Sequence, residues 1–122
     1  MKLKKIKVSE KEIQKTILDW LKWHKQIFCW RNNSGAMVSE YKGKKRFMRF
    51  GAEGSPDIFA VKMVFPCPGN GIIGVGQIIG IEVKSPTGKM SEAQEKFREE
   101  FQKVGGIYIL ARSVEDVEQF FD

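Results

Sequence analysis

The chain has 122 residues, 42% of them hydrophobic, with a formal charge of +6 and a pI near 9.4. That length supports one core rather than two independent domains, and the positive balance favours an anionic partner, nucleic acid or an acidic surface. Two distant cysteines, Cys29 and Cys67, and one histidine, His24, exclude a disulfide framework and a zinc site built on Cys or His.

Residues 1–8, MKLKKIKV, read as a basic arm, and residues 9–122 as a single domain. The arm is charged like the start of a signal peptide, yet the apolar run that should follow is missing, and no stretch is long enough to span a bilayer. A soluble cytoplasmic protein that makes no membrane contact is expected. Next, Ser9 and Glu12 have the spacing of a reciprocal helix cap, and Ile13, Ile17, Leu18 and Leu21 recur at helical spacing. His24 falls at the end of this stretch as a partly exposed helix residue.

QIFCW has strand composition, RNNSG is loop chemistry, and EYKGKKRFMRFG reads as a strongly basic hairpin turning near Lys42 and Gly43. GSPDIFAV predicts a strand opened by its proline. After a glycine-rich connection, QIIGIEVK predicts another, with Ile79, Ile81 and Val83 apolar. SEAQEKFREEFQKV is a capped helix with Phe97, Phe101 and Val104 on one stripe, stopped by Gly105 and Gly106. IYILA predicts a buried strand and SVEDVEQFF a terminal helix. The expected fold class is α/β, a mixed central sheet flanked by helices.

The chemistry concentrates in GIEVKSPTG. Strand side chains alternate, so Glu82 and Lys84 point away from Ile81 and Val83. By themselves they make an ordinary solvent-facing ion pair. Asp57 changes this reading, because neighbouring strands would bring it beside Glu82 and two acids would converge. Adjacent carboxylates resist ionisation unless a cation lies between them, and hard ions such as Mg²⁺ select carboxylate and water oxygens. A further acid is available from the first helix, where Glu10, Gln14, Ile17 and Leu21 share the face of Ile13. Glu12 already has a role in the cap, so Glu10 is the first choice and Glu12 the second.

With Pro56-Asp57 and the Glu82-Val83-Lys84 triplet, the sequence resembles the PD-(D/E)XK nucleases, and more closely the VRR-NUC family within them. The resemblance is carried by SEKEIQKTILDWL, WRNNSG, GSPDIFAV, IEVKSPTGKMSEAQEKF and the glycine before IYILA, and spans most of residues 9–121. It implies a restriction-endonuclease-like core of order α-β-β-β-α-β-α. It implies metal ligands at Asp57, Glu82 and Glu10 with the Val83 carbonyl, a catalytic lysine at Lys84, and a site glutamine at Gln94. From its spacing Gln94 could equally close a capping box with Ser91. Arg31, Asn32 and Ser34 match the family's loop, for phosphate contact or support of the metal site; a plain turn is the alternative.

GNGIIG spells a dinucleotide fingerprint but precedes a strand instead of opening a helix, and SPTGKMS lacks full phosphate-loop spacing, so no nucleotide cofactor is expected. Lys42, Lys44, Lys45, Arg46 and Arg49 crowd the hairpin as phosphate contacts; neutralising about five phosphates would make DNA binding steeply salt-dependent. The expectation is therefore a DNA endonuclease using Mg²⁺ or Mn²⁺, of bacterial or phage-like type. The resemblance implies structure-selective cleavage of branched DNA, including four-way junctions, leaving a 5′-phosphate, as in DNA repair and recombination. A homodimer would bring two sites to a symmetric junction, with Phe47 or the FPCPG segment as contact. The alternatives are a non-catalytic DNA-binding module and a sequence-specific restriction-type nuclease.

Overall fold

The structure, a computed structural model, describes residues 8–24, 26–33, 35–64 and 74–121, with the side chains of residues 35–39 and 48–50 outside that description. The basic arm up to Lys7, Ser34, Cys67 and the FPCPG segment lie outside the described residues. The order is α1 (Glu10–Lys22), β1 (Ile27–Arg31), β2 (Gly35–Tyr41), β3 (Lys44–Phe50), β4 (Ile58–Val64), β5 (Val75–Val83), α2 (Glu92–Lys103), β6 (Ile107–Ala111) and α3 (Val114–Phe121).

Five strands separate the first two helices, as the reading in chain order predicts, where the core order implied by the family resemblance has three. The difference is the basic hairpin: β2 and β3 pair only with each other as a two-stranded sheet, while β1, β4, β5 and β6 form a four-stranded one in that order. Lys42 and Gly43 both have positive φ (51° and 74°), the conformation of a tight hairpin turn whose twist matches its strands. β2 begins at Gly35, ahead of the predicted Glu40. In the main sheet β1 and β4, and β4 and β5, run antiparallel, whereas β5 and β6 are parallel and joined through α2. The sheet is mixed.

Ile13, Ile17 and Leu21 of α1 pack on Ile58, Ala60, Ile79, Ile81, Val83 and Ala111 of the sheet, with Val117 of α3 closing the cluster. Full burial of Ile17 and Leu21 contributes about 1.5–3 kcal/mol each. On the other sheet face, α2 sets Phe101 against Phe59, with ring centroids 6.2 Å apart. Both faces of β5 are therefore covered at its C-terminal end, and Glu82 is only 3% exposed. The solvent-facing alternative for that residue is excluded. Val104, expected on the buried stripe of α2, is instead its C-cap and 85% exposed.

Candidate active site

The register Ile58↔Ile81 places Asp57 opposite Glu82 at the ends of β4 and β5. Pro56 and Asp57 do not open the strand as predicted. They form a bend ahead of it, held by Asn32: its backbone N–H donates to the Asp57 carbonyl (2.8 Å), and its Nδ2 to Ser55 Oγ (2.8 Å) and the Pro56 carbonyl (2.9 Å). The bend rests on α2, where φ of +76° at Gly54 and the nearness of the Ala93 carbonyl leave no room for a β-carbon. Asp57 turns inward, and its Oδ2 accepts from the Val83 N–H at 2.8 Å.

Glu82 lies behind this bend. Its Oε1 accepts from Gln94 Nε2 at 2.9 Å and sits 3.7 Å from Lys84 Nζ. Its Oε2 is buried with no conventional hydrogen-bond partner among the described residues. The Asp57 carboxyl lies against Glu82, and two ionised acceptors cannot bond each other. Burial first, then the Asp57 charge, pushes the Glu82 pKa up to about 8, against the opposing pull of Lys84. Tyr108, also buried, has a hydroxyl with no hydrogen-bond partner among the described residues, and its pKa is raised by burial and then by the Glu82 charge.

Gln94 closes the capping box and also touches Glu82. Its Oε1 accepts from the Ser91 N–H (2.9 Å) as half of a complete capping box, so its Nε2 is the atom left to meet Glu82. In α1 the cap is simpler: Ser9 Oγ accepts from the Glu12 N–H at 3.2 Å. Glu12 is exposed at that cap, while Glu10 Oε1 accepts from the Ser85 N–H at 3.2 Å. Of the two acids, Glu10 is the one directed at the site.

In front of the acids lies a cleft of about 600 Å³, lined by Glu10, Lys11, Gln14, Arg31, Asn32, Asn33, Asp57 and Val83. Arg31 Nη2 donates to Gln14 Oε1 at 2.7 Å, which directs its cation along the cleft wall. Across the chain, the family model described as the VRR-NUC domain matches residues 8–115. The chain belongs to the VRR-NUC family. No curated protein and no solved structure gave a match. As a VRR-NUC chain it is a nuclease domain acting on DNA.

Among the described residues, no three His, Cys, Asp or Glu side chains already stand together as a metal cage. The donors nonetheless suit a hard divalent ion: two neighbouring carboxylates, a buried Glu82 oxygen with no hydrogen-bond partner among the described residues, and Glu10 and Val83 on the cleft that Asp57 lines. Lys44, Lys45 and Arg46 are exposed on the VRR-NUC hairpin, and the side chain of Arg49 lies outside the described residues. Gln14, Asn33 and Lys11 were not selected from the sequence. Gln14 alone left a signal there, as a polar side chain inside an apolar stripe. No helix of the described residues is long and apolar enough to cross a membrane.

Proposed function

We propose that this VRR-NUC domain is a Mg²⁺- or Mn²⁺-dependent endonuclease selective for branched DNA, four-way junctions included, working as a homodimer. The observation that carries the proposal is the meeting of Asp57, which lines the cleft, with Glu82 at the ends of β4 and β5, where one Glu82 oxygen lacks a hydrogen-bond partner among the described residues and Lys84 lies alongside. Asp57, Glu82 and Glu10, with the Val83 carbonyl, would hold the ion. Such an ion supplies charge stabilisation for a phosphate and acidity for a bound water.

The chain's own residues do the rest. Gln94 fixes one Glu82 oxygen and leaves the other for binding. Lys84 stabilises the charge that develops as water attacks phosphorus, and the attack leaves a 5′-phosphate. Arg31, backed by Gln14, contacts phosphate in the cleft, and the hairpin cations Lys44, Lys45, Arg46 and Arg49 hold flanking backbone without reading sequence. A two-fold junction is matched by two copies of the domain, with Phe47, 63% exposed on the hairpin, at their contact.

The test is a cleavage panel: labelled junction, forked and linear DNA with Mg²⁺, Mn²⁺ or chelator, for the wild type and Asp57→Asn. The expected result is metal-dependent cutting of branched DNA that Asp57→Asn abolishes without loss of binding. Binding without cutting in every metal would favour a non-catalytic module, and discrete plasmid fragments a restriction-type enzyme.

A further inference from the structure

The loop after Lys84 is shaped by a residue from another part of the chain. Ser85 to Gly88 form a turn closed by the Gly88 N–H donating to the Ser85 carbonyl at 3.0 Å, with Pro86 at the position that favours it. From the end of β6, Arg112 Nη1 donates to the Ser85 carbonyl (2.5 Å) and to the Gly88 carbonyl (2.8 Å). The Arg112 backbone is itself anchored, its N–H donating to Asp116 Oδ2 at 2.8 Å. The Lys84 N–H is tied to the Ala111 carbonyl at 3.0 Å, so the segment is fastened on both sides of Lys84.

The same turn touches the site at two points. The Ser85 N–H donates to Glu10 Oε1, and Gly88 is close enough that a β-carbon there would stand 3.4 Å from that oxygen. Lys84, the residue before the turn, has its ammonium 3.7 Å from Glu82 Oε1. A half-buried guanidinium bonded to two carbonyls of one turn fixes that turn's orientation, and with it the direction of the Ser85 N–H.

We propose that Arg112 is a positioning residue of the site: through the Ser85–Gly88 turn it holds Glu10 and Lys84 in place around the Asp57–Glu82 pair. This rests on the metal-dependent reading above. Removing an outer residue that orients a metal ligand lowers metal affinity or activity by about 10- to 100-fold. A residue that served only the fold would not have its effect depend on Glu10.

The test is a double-mutant cycle of Arg112→Gln with Glu10→Gln, read by Mn²⁺ titration calorimetry of the metal-free protein and by single-turnover cleavage of junction DNA. Arg112→Gln should weaken Mn²⁺ binding by roughly tenfold or more and slow cleavage at saturating DNA, with the DNA Kd little changed. Arg112→Lys should recover part of the loss. In the Glu10→Gln background Arg112→Gln should weaken Mn²⁺ binding much less. Equal fold losses in both backgrounds, or wild-type Mn²⁺ affinity in Arg112→Gln, would overturn the assignment. If Arg112→Gln does not fold, the same cycle run with Arg112→Lys decides between the same outcomes. A wild type that binds no Mn²⁺ would overturn the metal reading and this inference together, whereas Mn²⁺ binding with an additive cycle would overturn this inference alone.

Discussion

Glu82→Gln isolates the cost of burying the Glu82 carboxylate. In the metal-free protein the Glu82 pKa stands at about 8 against an ordinary value of 4.5. Between those values the folded state keeps a proton that the unfolded chain has already released. Stability is therefore highest below the unfolded value and is lost as pH rises through the folded one, at about 1.4 kcal/mol per pH unit. Across the window the loss is on the order of 4 kcal/mol. The substituted glutamine keeps the shape and can still meet Gln94, but has no proton to lose. Thermal unfolding in chelator should therefore show little difference between the two proteins near about pH 5 and a Tm advantage of roughly 10 °C for Glu82→Gln near about pH 8.5. Added Mn²⁺ should restore the wild type and leave Glu82→Gln unmoved. Parallel Tm–pH curves would refute the reasoning, since they would mean Glu82 ionises as freely in the fold as out of it.

Three further outcomes follow from the site. Lys84→Ala should lower single-turnover cleavage by about 100-fold or more while Mn²⁺ affinity, by calorimetry, changes far less; the reverse pattern would make Lys84 a metal-site support and not a catalytic group. Asn32→Ala, which releases the Ser55 and Pro56 bonds, should cost about 1–3 kcal/mol in denaturant unfolding, and should slow cleavage more than Ser55→Ala, which breaks only one of them. Gln94→Glu keeps an acceptor for the Ser91 N–H but sets a third acid against Glu82, so cleavage should fall while the helix cap survives. Gln94→Met should also lose about 1 kcal/mol of cap in thermal unfolding.

The meeting of Asp57 and Glu82 was legible because each acid adjoins a strongly apolar strand, and two such strands close in sequence tend to pair. The burial of Glu82 was harder to see. Alternation argued for one wet face, yet the near-continuous run IIGIEV is what a strand covered on both sides looks like. The choice of Glu10 over Glu12 could be made from the cap, since position in the first turn decides which side chain looks inward. What could not be read were contacts between distant segments. Nothing near Arg112 in sequence marks it as the partner of a turn that starts at Ser85, and nothing in Asn32 says that it holds the Pro56 bend. Gln94 was ambiguous because one amide has two ends, and only the fold gives each a separate partner. The hairpin's extent was underread because Gly35 belongs equally well to a loop and to the first residue of β2.

The proposed chemistry depends on Asp57 and Glu82 holding a divalent ion near the start of α1. Anomalous diffraction from crystals grown with Mn²⁺ tests this most directly. The predicted result is a strong peak within bonding distance of Asp57 and Glu82 carboxylate oxygens, lost in Asp57→Asn. A peak elsewhere on the molecule, with no metal at the two carboxylates, would contradict it.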